Sequence, residues 1–440
     1  MRPKILPVII FASLLLVTGC KKNDLPKPDS HTKKYPAQVI STWYKLLTKI
    51  SRDNPYPPPP SIRIFAYTGV AIYESVVPGM PSYKSIFKHF TGNEIPHDHA
   101  KEYFWPAAAN AAASRIASKI MENYGNSPGL LLVQQLEDSL QQVYAGYVTP
   151  EMLQISIAFG RTAADKVYEW SEQDGTLTAG GMLAPCPAYV PLGTPGKWEP
   201  TPPGLFPAAG ACQGNLRTFI PGVVQNTRPP SPPAYSTEPG SDFYIMSENI
   251  YNLSQTRTYN DSLISEAWRD RLGMNLNTPA HILRLTTHII EKENLNLEQS
   301  AVIFAKQGLA MFDAIAASFG AKFHYALLRP VTYIRTVLGK PTWNSIYPTP
   351  QHPSYAAVAP AAAAAGILPL EKILGNNYSF KDSTQHHLYG TWNYPSFNQL
   401  VKDVGISRTH SGLNFEISVS KGIIQGRAIG EMINNLPFKK

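Results

Sequence analysis

The sequence predicts an all-α protein, a helical bundle threaded by long proline-rich loops. Apolar residues recur with the helical period along most of the chain, and strand-like alternation is nearly absent. The 40 prolines cluster at 55–60, 185–207 and 229–239, which confines the irregular chain to a few long loops. A hydrophobic content of 43% against 16% charged residues fits a globular core and excludes a disordered chain.

The N-terminus reads as an export signal. Arg2 and Lys4 precede an apolar run from Ile5 to Val17 that is too short for a permanent bilayer span. Val17-Thr18-Gly19-Cys20 then matches a bacterial lipobox. Residues 1–19 would be cleaved, and Cys20 would carry the lipid at the new N-terminus. The alternative is an ordinary signal with a coincidental cysteine; small residues directly before Cys20 favour the lipobox. Residues 20–35 are polar, charged and proline-bearing, a flexible tether. The expectation is an exported lipoprotein, periplasmic-facing or at the cell surface, held to a membrane by its lipid.

Helices are expected near 36–50, 62–76, 106–123, 128–146 and 151–172. Thr149 is placed as N-cap and Pro150 as first residue of the last of these, and Ser61 as cap of the second. Residues 174–240 read as loop. Helices resume near 240–254, 261–272 and 279–293, then from Leu297 to Leu328 as a nearly all-round apolar segment for the bundle centre. Its charges are few, Glu298, Lys306, Asp313 and Lys322, and a buried one needs a partner. Loops at 339–354 and 376–398 flank a helix near 356–373, and a last helix covers 412–435. Ala356 to Leu370 is the most apolar later stretch, but Pro360 and Pro369 interrupt it. The division is 36–260 as an N-terminal helical region and 261–440 as a second helical domain.

The net charge of +8 comes without a dense Lys/Arg stripe, so nucleic-acid binding is not inferred. Such modest basicity favours anionic ligands or lipid headgroups. With Cys20 lipidated, Cys186 and Cys212 remain, both in the proline-rich loop of an exported chain. They are predicted to pair rather than stay as buried thiols, a bond contributing roughly 3 kcal/mol by loop closure.

Three basic residues stand out: Lys322, Arg329 seven residues later, and Arg408 in Ile-Ser-Arg-Thr-His. A seven-residue step returns to one helix face, so Lys322 and Arg329 can aim at one spot. Convergent cations suit a tetrahedral oxyanion, Arg as a planar fork and Lys as a point charge. By spacing alone, Lys and Arg at a helix C-terminus are more often surface charges that offset the dipole.

The segment Lys322-Phe-His-Tyr-Ala-Leu-Leu-Arg329-Pro330 resembles the first signature of the vanadium-dependent haloperoxidases and the related type 2 phosphatidic acid phosphatases. Ser407-Arg408-Thr-His-Ser-Gly-Leu-Asn414 is similar to their third signature, and Tyr347 to Tyr355 to the lead-in of the second, Pro-Ser-Gly-His. Pro279-Ala-His281, Leu309 to Ala314 and Gly426 to Gly430 agree with the bacterial haloperoxidase-like branch, and the likeness covers about 265–435. It implies that family's helical bundle, an oxyanion cradle of Lys322, Arg329 and Arg408, and vanadate as cofactor.

The departures fall on the chemistry. The histidine that bonds vanadium, or attacks phosphorus in the phosphatases, falls on Asn414. Pro-Ser-Gly-His falls on Ala356 to Ala359, or from Pro353 on a shifted reading; either way its histidine is lost, and the phosphatase Asp falls on Ser418. An amide is a poor nucleophile and alanine transfers no proton. Among substitutes, His410 lies in the motif loop, His324 beside Lys322, and His352, His386 and His387 in flanking loops. His410 stands first among these as a substitute, although a surface histidine beside an Arg is the favoured reading of it. No carboxylate or cysteine completes a metal site around His386-His387, so no metal site is expected. His281 and His288 read as packing residues, and Trp343, Tyr347 and Trp392 as core or loop anchors.

Three functions follow. The first is a haloperoxidase-like lipoprotein with an oxyanion pocket and an impaired site, taking a small oxyanion or phosphorylated small molecule. The second is a working phosphatase or haloperoxidase with a relocated histidine. The third is a surface lipoprotein that binds glycans or a protein partner, which leaves the cationic spacing without a reason.

Overall fold

The computed structural model describes residues 29–53, 58–178, 183–271 and 273–440. The signal segment 1–19, Cys20 and most of the tether lie outside these. The architecture is all-α, as the sequence implies, with one small hairpin in which Phe380–Asp382 pairs antiparallel with Trp392–Tyr394.

The centre is the helix Leu297–Tyr325, started by an Asn296–Gln299 capping box. Its apolar residues are buried nearly all round. Among the described residues it alone is long and apolar enough to cross a membrane, but 94% of that stretch is buried within the protein. It packs against Pro58–Val76, Val358–Leu374 and Glu416–Asn434. Close approach depends on glycine: a Cβ on Gly308 would sit 2.6 Å from Ala66 Cα. Gly422, Gly426 and Gly430 recur every turn of the C-terminal helix, and a Cβ on each would strike Ala357, Ala361 or Ala365. That stripe lays Glu416–Asn434 against the alanine-rich helix Val358–Leu374 and so fixes where its N-terminus stands.

Two polar residues of the central helix are tied to their neighbours. Gln307 Nε2 donates to Gly366 O (2.8 Å) and Thr286 Oγ1 (3.0 Å). Asp313 accepts from Phe219 N and Ile220 N, both at 2.8 Å, and so straps the proline-rich loop to the central helix. Burial raises its carboxyl pKa to about 7, against the pull of those N–H groups and of Arg217. The same loop bonds Trp198 N to Ala326 O (2.7 Å) and Ala209 N to Gln351 O (2.7 Å), and Cys186 is bonded to Cys212 within it. One hydrophobic core runs from Tyr35 to Phe438 across both halves of the chain.

Several expectations need correction. The central helix ends at Tyr325, not Leu328, because Ala326 takes a left-handed conformation at φ 50°. Arg329 is the N-cap of a separate helix, Pro330–Thr336, so Lys322 and Arg329 do not share one helix face. The second helix begins at Pro58, which removes Ser61 from the capping role. The helix Phe397–Thr409 falls partly in an expected loop, and Arg408 lies in its last turn. The helix begun at Thr149 holds: Thr149 accepts from Met152 N.

Candidate functional site: a cationic cavity

Lys322 sits in the last turn of the central helix, 1% exposed. Its Nζ donates to Pro353 O (2.7 Å) and Ser354 O (3.0 Å). The turn at Ala326 brings the chain back so that Arg329 reaches the same 352–354 segment from the next element. Arg329 Nε donates to His352 O (2.8 Å) and one terminal nitrogen to Leu413 O (2.8 Å). The other terminal nitrogen lies 3.0 Å from His352 Nδ1, which therefore accepts. Under this crossing, Leu327, Leu328, Tyr333, Tyr355 and Phe415 form a second small apolar core.

Arg408 arrives from the helix Phe397–Thr409. One terminal nitrogen donates to Trp268 O (2.9 Å) and Asp270 Oδ2 (3.1 Å). Asp270 is itself held by Thr278 N at 3.0 Å. Arg408 is 8% exposed, and its Nε, fully buried, has no hydrogen-bond partner among the described residues. An unmatched buried donor costs free energy unless something fills the place opposite it.

Lys322, Arg329 and Arg408 line one cavity of about 750 Å³, together with His352 and Asn414. The chain thus brings all three expected cations together. Burial lowers the Lys322 pKa well below the usual lysine value, and the charges of Arg329 and Arg408 push the same way. Burial, then Lys322 and Arg329, holds His352 neutral. Val358 and Ala359, at the start of a helix that no side chain caps, complete the inner wall.

Asn414 stands at the cavity, but its Nδ2 donates to Ser354 O (2.8 Å) and Ser354 Oγ (3.2 Å). His410 does not line the cavity. It is the C-cap of the Arg408 helix, with Nδ1 3.3 Å from Asp261 Oδ1, so it does not serve the substitute role for which it was a candidate. His324 is exposed, His386 lies 2.9 Å from Thr391 Oγ1, and His387 is exposed. No cluster of three or more metal-binding side chains exists among the described residues. His281 meets Asp382 at 2.7 Å and stacks on Trp268, a packing role. The histidine that does reach the cavity is His352, four residues before Ala356. Residues 269–271 (Arg-Asp-Arg), Gln351 and Phe319 also line it, and sequence reasoning had singled none of them out. Tyr347, expected as an anchor, lines it too, under the Arg269 guanidinium at 4.1 Å.

The geometry has counterparts. Residues 302–437 match the family model of the VCPO second helical-bundle domain. The first bacterial vanadium-dependent iodoperoxidase of known structure superposes with a TM-score of 0.82 at 26% identity, over 91% of this chain and 96% of that one. The chain is similar in fold to the vanadium haloperoxidases, and residues 302–437 match their second helical-bundle domain. A bacterial vanadium-dependent chloroperoxidase shares the fold in two forms, both with a TM-score of 0.65 at 15% identity. The holo form covers 85% of this chain and 90% of its own, the apo form 87% and 94%. No curated protein matches the chain.

This likeness raises vanadate, and the residues fit it only in part. The cations and the orphaned Arg408 Nε suit the oxygens of a phosphate-like anion. A bond from protein to vanadium is another matter. The Asn414 amide nitrogen is a donor engaged with Ser354, and a delocalised amide lone pair is no ligand for the metal. The site fits a non-covalently held oxyanion and does not fit a ligated vanadium centre.

Proposed function

We propose that this protein is an exported lipoprotein that binds phosphate-type oxyanions in a haloperoxidase-type cavity and does not turn them over efficiently. The observation that carries the reading is the Arg408 Nε, buried and unmatched in a wall shared with Lys322 and Arg329. Loss of turnover follows from the chemistry at two positions. Asn414 offers no nucleophilic nitrogen, and Ala359 no proton. The membrane anchor is proposed from the lipobox at Cys20.

The test is a thermal melt with orthovanadate or inorganic phosphate. Anion at about 100 times its dissociation constant adds about 2.7 kcal/mol to the folded state. The shift should shrink in high salt and vanish in Arg408→Ala. Absence of any shift overturns the pocket, and halide oxidation by hydrogen peroxide at enzyme-like rates overturns the loss of turnover. The cavity position of His352 favours a second reading, in which it serves as the relocated acid–base group. Under that reading activity is present and His352→Ala abolishes it.

A further inference from the structure

The lysines are scattered along the sequence, but the fold gathers several of them at the end of the bundle opposite the cavity. The central helix carries Lys306 near its start and Lys322 in its last turn. The helix Val358–Leu374 begins at the cavity wall and runs the other way, so that Gly366 O is level with Gln307 and Lys372 lies beyond it in the last turn. Lys306 Nζ donates to Asn434 O (2.8 Å) and lies 5.0 Å from the Phe438 ring centre. Lys439 pairs with Tyr83 in an isolated antiparallel bridge, and Lys84 N donates to Phe438 O (2.9 Å). Burial lowers the Lys306 pKa to about 8, and the charges of Lys372 and Lys439 push the same way. Lys33 and Lys34 join from the other end of the sequence. The next residue, Tyr35, accepts from Leu297 N (2.8 Å) at the first turn of the central helix, where the charge of Lys33 acts on Glu298.

Lys33, Lys34, Lys84, Lys372 and Lys439 are exposed and Lys306 is half-buried. None of these forms an ion pair among the described residues. The carboxylates that the same helices place toward this end are Glu298, Glu371 and Glu431, and Arg427 already holds Glu371 at 3.2 Å. Unpaired lysines occur elsewhere, as at Lys340 and Lys421 on the cavity side; here they are grouped, and their mutual repulsion favours an outside anion. They come from separate elements across one end of the bundle, which suits a charged layer better than one small ion. The chain before Asp29 says which layer. Residues 20–28 can span at most about 30 Å. On the proposed lipobox, the bilayer that holds Cys20 therefore lies within that reach of Asp29, whose N donates to Tyr35 Oη (2.8 Å). Lys322 and the cavity stand about 38 Å from Leu297 along the central helix. The basic end is the end nearer the membrane.

Resting on the lipobox reading above, we propose that this end of the bundle docks on a bilayer of anionic phospholipid, with Lys33, Lys34, Lys84, Lys306, Lys372 and Lys439 against the headgroups. Docking turns a tethered protein into an oriented one. The cavity end then points away from the bilayer, and its ligand arrives from the aqueous side.

Vesicle flotation tests this on the chain from Lys21 onward, which keeps every described residue and carries no lipid. It should float with vesicles of phosphatidylcholine and phosphatidylglycerol in a two-to-one ratio, stay behind with phosphatidylcholine alone, and be released by salt. Lys33→Gln with Lys34→Gln, and separately Lys372→Gln with Lys439→Gln, should each weaken binding by about tenfold or more. Lys340→Gln with Lys421→Gln removes the same charge on the cavity side and should weaken it by less than about twofold. All these side chains are exposed or half-exposed, and a thermal melt of each variant checks that the fold is kept. Equal weakening by the third pair means that net charge alone attracts the chain, and failure to float with the anionic vesicles means that no docking end exists; either result overturns the proposal. Intact-mass analysis of the exported full chain reads the lipid on Cys20 separately. A lipidated Cys20 with no flotation of the lipid-free chain leaves the anchor and removes the docking end. Flotation with Cys20 unmodified removes the anchor and leaves the basic surface standing.

Discussion

Asn414 turns its amide nitrogen onto Ser354, 2.8 Å from the carbonyl oxygen and 3.2 Å from the hydroxyl. The residue on which the family's vanadium-bonding histidine falls is thereby built into the loop that also receives Lys322. Asn414→His replaces this tie with an imidazole whose neutral nitrogen can bind a metal. The variant should prefer orthovanadate over phosphate by about tenfold or more, whereas the parent chain treats the two alike. Halide oxidation should stay near background, since Ala359 still offers no proton. Parallel titrations with the two anions check this, and an unchanged ratio counts against an imidazole at position 414 reaching the bound anion.

On the proposed lipobox, membrane attachment depends on Cys20. In a bacterial host that processes lipoproteins, Cys20→Ser should release the chain from the membrane fraction or leave it as precursor. Fractionation with intact-mass analysis reads both outcomes. Unchanged attachment with a mature N-terminus elsewhere counts against the lipobox.

Asp313 links loop and core through two hydrogen bonds, and its ionisation adds a pH signature. Its folded pKa is raised to about 7 by burial, from 3.8, so the folded chain holds a proton that the unfolded chain releases. Its contribution is full below 3.8 and lost as pH rises through about 7. Glu74, raised to about 7 by the same cause, acts in the same sense. Relative to Asp313→Asn, the parent's melting temperature should therefore fall between pH 5 and pH 8. Asp313→Ala leaves Phe219 N and Ile220 N buried without an acceptor, at about 1–3 kcal/mol each. A melt of Asp313→Ala indistinguishable from the parent would show that the strap carries no weight.

Much of this fold is readable from local signals, and the site only in part. Thr149-Pro150 and the apolar run after Leu297 mark helices because cap and period agree. Lys322 and Arg329 converge as their spacing suggests, but by a different route: Ala326 breaks the helix, and a second element carries Arg329 back. A left-handed alanine leaves no mark in the sequence. The helix Phe397–Thr409 did leave one, Ser396 three residues before Gln399, yet its mixed polarity hides the period. His410 and His352 show the other limit. His410 is two residues from Arg408, but its place at a helix end directs it to Asp261. His352 is 56 positions from Arg408 and meets the same cavity, a relation set by tertiary packing alone.

Lys322 supplies the sharpest linkage between charge and ligand. Burial, then Arg329 and Arg408, hold its folded pKa well below 10.5, its ordinary value. Between that lowered value and 10.5 the unfolded chain binds more protons than the folded one, so stability rises with pH there and is lost as pH falls through the folded value. A bound anion reverses the preference, because its charge favours the ammonium. Anion binding in this window should take up to one proton from the buffer, and affinity should fall as pH rises. Calorimetry in two buffers of different ionisation enthalpy measures the uptake directly. Lys322→Met keeps the length of the stem and removes the titration, so uptake should disappear and anion affinity drop by about tenfold or more. Its unliganded stability should change little: a buried charge is gone, but Pro353 O loses a donor, while Ser354 O keeps Asn414. Binding by the parent chain with no proton uptake at any pH in the window means that Lys322 is already charged without ligand, and the anion then owes its hold to Arg329 and Arg408.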